Sequence, residues 1–229
     1  MQEWPLLIEV LESGLTSDKK HVKALHAARA AQGRARVEEY LKIFCTTELA
    51  PRKNLVTKSI AQNHPEWVER LALDAFVYTG KGSPTLAERA KRLPQFLASP
   101  TRPIDRAFVQ SIFDRDHPGT AEQKVIDSFA DAILALDSEM PTGTYVDMCS
   151  KLPVVDPRRI AAPTLIMRGE YDGIATIADL QDFFAQLPSG DRQFVILPGV
   201  AHSVVLATNR QLFWHAAKSF LTMPTPIAT

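Results

Sequence analysis

Cysteine is nearly absent from this chain of 229 residues, with Cys45 and Cys149 the only two. Thiols so far apart make neither a disulfide framework nor a metal-ligand spacing, and they fit a reducing, cytoplasmic setting. Net charge is absent as well, because 26 basic residues balance 26 acidic ones. That balance removes the field on which nucleic-acid and anionic-membrane binders rely, and leaves a small molecule as the expected partner. No apolar run approaches the roughly 18 residues of a membrane span. The opening MQEWPLLIEVLESG lacks a basic flank and is interrupted by Glu9 and Glu12, so no secretory signal is expected. Internal repeats and low-complexity tracts are also missing.

What remains is a chain with 45% hydrophobic residues, long enough for one sizeable core with an inserted subdomain. Residues 1–50 carry two helical patterns, around Leu6, Leu7, Val10 and Leu11 and around Val37, Tyr40, Leu41 and Phe44. The basic stretch between them has no interleaved aromatics and reads as a solvated helix face. Farther on, Asn63-His64-Pro65-Glu66 closes one helix, and Leu71 to Tyr78 supplies a buried strand ending at Gly80.

From Lys81 to Arg159 prolines punctuate several helical segments: Leu86 to Leu97, Arg106 to Phe113, and Glu122 to Leu136 with Val125, Phe129, Ile133 and Leu136 on its apolar side. Short helices between proline turns suggest a lid. Residues 160–229 return to strand, helix, strand, helix order, with amphipathic helices at Asp179 to Leu187 and Gln211 to Leu221. This alternation predicts an α/β fold, a mostly parallel sheet with flanking helices. Three regions follow: an N-terminal helical segment with the start of the α/β core (1–80), a helical lid (81–159) and the C-terminal part of the core (160–229).

Two strand-like runs in the last region end in turns that each carry one ionisable residue, Asp172 in IAAPTLIMRGEYDGIAT and His202 in RQFVILPGVAHSVV. In parallel α/β sheets the loops beyond the carboxyl ends of the strands share one edge, so the two side chains can meet there. A carboxylate beside an imidazole holds the ring tautomer and stabilises the imidazolium formed when the ring takes a proton. Taken singly, each residue also fits an ordinary loop role, Asp172 bonding its own turn and His202 as a satisfied loop residue. His117, in a Pro-Gly turn, and His215, on a helix, are poorer candidates for a base.

Over residues 54–221 the chain resembles the α/β-hydrolase family. Ala162-Pro163-Thr164-Leu165-Ile166-Met167-Arg168-Gly169-Glu170-Tyr171-Asp172 is similar to the family's strand and acid turn, and Leu197-Pro198-Gly199-Val200-Ala201-His202-Ser203 to its histidine loop. HPEWVERLALDA, residues 64–75, resembles the strand before the family's cap, and residues 81–159 stand in the cap's place. The resemblance implies an incomplete α/β-hydrolase core with a helical cap insertion. It implies Asp172 as the acid, His202 as the base and a serine nucleophile, with no metal or organic cofactor.

The family's GxSxG turn is absent, and the position expected for it, Leu49 to Asn54, offers no Ser, Cys or Asp. Ser59, in Asn54-Leu55-Val56-Thr57-Lys58-Ser59-Ile60-Ala61, is the best substitute, although Thr57 and Ala61 replace the glycines and their Cβ atoms oppose a sharp elbow. An N-cap serine is the ordinary reading of the same residue. The family's early strands and oxyanion loop, whose donors contribute about 3 kcal/mol each, have no counterpart in residues 1–50. The expected activity is esterase-like hydrolysis of a small ester, amide or lactone, with Phe96, Phe108, Phe113, Phe129 and Met148 lining an apolar pocket. A non-catalytic or truncated relative that serves as a binding protein is the alternative. A sheet lacking strands would also expose an edge, which makes a homodimer an expectation.

Overall fold

The structure, a computed structural model, describes residues 58–224. The expected helices of residues 1–50 and the segment 54–57 lie outside the described residues. A helical run over 58–63 ends where the amide of His64 donates to the carbonyl of Ile60, and Pro65 opens the 3-10 turn Pro65–Trp67. Proline suits a first helical position because its missing N–H would have no partner there.

Among the described residues three strands form a parallel sheet in the order β1 (Leu71–Asp74), β4 (Thr164–Gly169), β5 (Arg192–Leu197). Leu71 lies opposite Thr164, and Thr164 opposite Arg192; Gly169 and Leu197 end the second pair together. Every residue of the central β4, TLIMRG, is buried, as a parallel strand covered on both faces requires. Leu71, Leu73 and Ile166 face one layer, formed by Ala61 of the first helical run and by Leu180 and Phe183 of helix Ile177–Gln186. Leu165, Met167 and Leu197 face the opposite layer, where Phe213, Ala217 and Phe220 of helix Arg210–Leu221 pack. The expected α/β class, with a parallel sheet flanked by helices, is what the chain adopts.

β1 is shorter than the apolar run that predicts it. Ala75 takes a left-handed conformation with φ 48°, and the amides of Tyr78, Thr79 and Gly80 donate to the buried carboxylate of Asp179 rather than to a neighbouring strand. The acceptor lies about a hundred residues away, so the apolar pattern does not reveal where pairing stops.

Between β1 and β4 run the helices α1 (Pro84–Lys91), α2 (Leu93–Ala98), α3 (Arg106–Asp114), α4 (Gln123–Leu136) and α5 (Gly143–Ser150). We call the two helices of the sheet layers α6 (Ile177–Gln186) and α7 (Arg210–Leu221). The single helix expected over 86–97 is two helices, because Pro94 in the first turn of α2 lacks the N–H that would continue α1. α4 buries Ile126, Ala130 and Ile133, and Leu136 is 65% exposed, so its inward face is turned by one residue from the expected one. Residues 101–103 and 139–141 form a short antiparallel pair, β2 (Thr101–Pro103) and β3 (Glu139–Pro141). Phe113 and Phe129 meet edge to face between α3 and α4. Phe113 belongs to a small core cluster with Val109, Ile126 and Ala130, against which the partly buried Phe129 packs.

Candidate active site

The site is built where β4 and β5 end. Gly169 closes β4, and the next two amides cross to the neighbouring loop: Glu170 donates to Leu197 at 2.9 Å and Tyr171 to Val200 at 2.9 Å. The amide of Gly199, at φ 66°, returns a bond to the Glu170 carboxylate at 2.8 Å. A Cβ on Gly169 would collide with the carbonyl oxygens of Val200 and Ala201, so the close approach of the two loops depends on glycine at this position. Pinned in this way, residue 202 falls beside residue 172.

The resulting contact is direct. Nδ1 of His202 lies 3.0 Å from Oδ1 of Asp172, and the two side chains are 12% and 0% exposed. Oδ1 also accepts from the amides of Ile174 and Ala175 at 2.9 and 3.3 Å. Burial by itself pushes the Asp172 carboxyl up, but the His202 ring and the two amides outweigh it and hold the carboxyl below its usual range. An ionised carboxylate only accepts, so Nδ1 carries the proton in this bond and Nε2 is left with the lone pair. Oδ2 of Asp172 is buried and has no partner among the described residues.

Two residues that sequence reading did not single out hold the frame. Arg168, on β4 and only 6% exposed, donates to four carbonyls of the acid turn: Gly169, Glu170, Asp172 and Ala175, at 2.7, 3.1, 2.7 and 3.1 Å. A guanidinium can satisfy this ring of acceptors because its donors are spread in a planar fork. Asp179, at the start of α6, clamps the loop after β1 through three amides and the Thr79 hydroxyl. In sequence both resemble ordinary charged residues, and only their burial reveals the role.

Ser59 lies on the helical run 58–63 and is partly buried. Among the described residues no hydrogen bond joins it to His202, and the strand end expected to form an elbow before it falls in the residues not described. Its neighbour Lys58 is 3% exposed, donates to the Val77 carbonyl at 3.3 Å, and stands 4.4 Å from the centroid of the Phe76 ring. Burial pulls the Lys58 amine down to about 7 against the opposing attraction of Asp179. His117 is stacked on Tyr171 with centroids 4.0 Å apart, and His215 is exposed on α7. Neither takes part in the Asp172 bond.

No group of three or more His, Cys, Asp or Glu is gathered to hold a metal among the described residues. No helix among them is long and apolar enough to cross a membrane. Cys149 is partly buried, which raises its thiol against the effect of Arg89; Cys45 lies outside the described residues.

No family model and no curated protein matches the sequence. Solved structures do match. A hydrolase from Pseudomonas aeruginosa is 21% identical with a TM-score of 0.52, over 74% of this chain and 62% of its own. A soluble variant of monoglyceride lipase from Saccharomyces cerevisiae is 15% identical with a TM-score of 0.51, over 73% and 61%. An α/β hydrolase enzyme from a Medee basin deep-sea metagenome library is 14% identical with a TM-score of 0.52, over 77% and 64%. The match thus spans less than two thirds of each of these structures, and at such identities the likeness speaks to architecture. The parallel sheet and its flanking helices have the α/β-hydrolase fold.

Proposed function

We propose that the chain is an esterase-like hydrolase of small esters, amides or lactones, with Asp172 and His202 as its acid and base and residues 81–159 as its cap. The observation that carries this reading is the 3.0 Å bond between the buried Asp172 carboxylate and Nδ1 of His202, at the shared carboxyl edge of β4 and β5. It leaves Nε2 as the nitrogen able to take a proton. In the proposed reaction Ser59 Oγ attacks the carbonyl carbon and its proton passes to Nε2. The imidazolium, stabilised by Asp172, then returns that proton to the departing alcohol or amine, and water releases the acyl group by the same route.

A second reading rests on the missing bond between Ser59 and His202. A protein that keeps the acid and base without a nucleophile in reach would bind an acyl compound without cleaving it. Turnover of p-nitrophenyl acetate by the full chain and by its Ser59→Ala and His202→Ala variants separates the two. The esterase reading expects both variants to be inactive. Loss with His202→Ala alone would move the nucleophile to another residue, and equal rates for all three would favour the binding protein.

A further inference from the structure

The segment between β1 and β4 brings together three arginines but gives only one of them a carboxylate. Arg115 donates from Nε and Nη2 to Asp116 at 2.7 and 3.0 Å. Asp116 is buried against Gly173, the residue after Asp172. Arg89 and Arg102 form no ion pair among the described residues. Arg102 lies 4.4 Å from the ring centroids of both Phe108 and Tyr145, and its Nη2 donates to the Tyr145 hydroxyl at 2.7 Å and contacts Met140 Sδ at 3.1 Å. Its Nε is buried with no hydrogen-bond partner among the described residues. Arg89 lies 5.2 Å from the Tyr145 ring centroid, and its Nη1 is 3.5 Å from Met148 Sδ.

Cations left half-buried without counter-charges are costly, and an orphaned guanidinium N–H adds the desolvation cost of an unmade hydrogen bond. Burial lowers the Arg89 pKa; Tyr145 opposes this, and Arg115 and Arg102 add to it. The cluster also has a fixed relation to the acid turn. Thr85 donates to the Gly173 carbonyl at 2.9 Å, and Arg89 follows it by four residues on α1, so the two share one helix face a single turn apart. Through α1, Arg89 is thus tied to the residue that follows Asp172.

We propose that Arg102 and Arg89, with the Tyr145 hydroxyl, form a subsite for a carboxylate on the substrate, so that the preferred compounds are half-esters or half-amides of short dicarboxylic acids. Guanidinium suits this group because its planar fork matches a carboxylate. The inference rests on the hydrolase reading for its substrate class, but the subsite is tested by binding alone.

Glutarate titrated calorimetrically into the full chain is the probe. Binding is expected for the natural chain and for Arg106→Gln, an exposed arginine paired with Asp131, and is expected to weaken at least about tenfold in Arg102→Gln and Arg89→Gln. In the unmodified protein, glutarate is also expected to slow phenylglyoxal modification of Arg89 and Arg102, read by peptide mass, which covers the case of a variant that fails to fold. Absence of glutarate binding, equal affinity in all folded variants, or tighter binding of inorganic phosphate than of glutarate would overturn the proposal. Glutarate binding through Arg102 without hydrolysis of monomethyl glutarate would leave the subsite standing and remove the esterase reading.

Discussion

At the scale of single residues, the acid turn depends on Arg168 as much as on Asp172. The guanidinium donates to four carbonyls of the turn, of which that of Gly169 also accepts from the Asp172 amide. An ammonium cannot span them, so Arg168→Lys is expected to destabilise the fold by about 2–4 kcal/mol in urea denaturation. An unchanged midpoint would show that the turn holds itself. Lys58 acts in the opposite sense. Its folded pKa of about 7 lies below the ordinary 10.5, so between those values the unfolded chain holds more protons than the folded one. Stability from this group therefore rises with pH across that window, and its full cost is present below about pH 7. Lys58→Met is expected to raise stability at pH 7 by an amount on the order of a few kcal/mol and to flatten the rise between pH 7 and 10. A rise of the same slope in the variant would assign it to another group.

At the scale of elements, the pairing of Asp172 with His202 is a property of two strand ends held together. The bonds from Glu170 and Tyr171 into the loop after β5 require Gly169 to carry no side chain. Gly169→Ala is expected to cost about 1–3 kcal/mol by overpacking. Because it would also part the two loops, it should lower any His202-dependent activity more than its stability loss explains. A crystal structure of that variant with the 3.0 Å bond retained would refute this coupling. These turns were legible in sequence because their signals are local: an apolar run, a glycine and one ionisable residue. The end of β1 was not, since Asp179 draws the chain away from about a hundred positions downstream. Nor were β2 and β3, whose three residues each are too few to show alternation and include the prolines Pro103 and Pro141. The split of α1 from α2 could have been read from Pro94, which an unbroken helix over 86–97 would have had to absorb.

At the scale of the whole molecule, the three-stranded parallel sheet of the described residues carries the paired Asp172 and His202 at one edge, and the residues between β1 and β4 lie beside that edge through Thr85 and Asp116. The proposal that this frame is catalytic needs the pair to work as a unit, because an oriented imidazole and the carboxylate that orients it serve one proton transfer. Removing either should then cost nearly as much as removing both. The direct measurement is kcat for p-nitrophenyl acetate in the natural chain, Asp172→Asn, His202→Ala and the double variant. The account predicts a fall of about three to four orders of magnitude in each single variant and little further loss in the double variant. Rates in the single variants equal to that of the natural chain would contradict it.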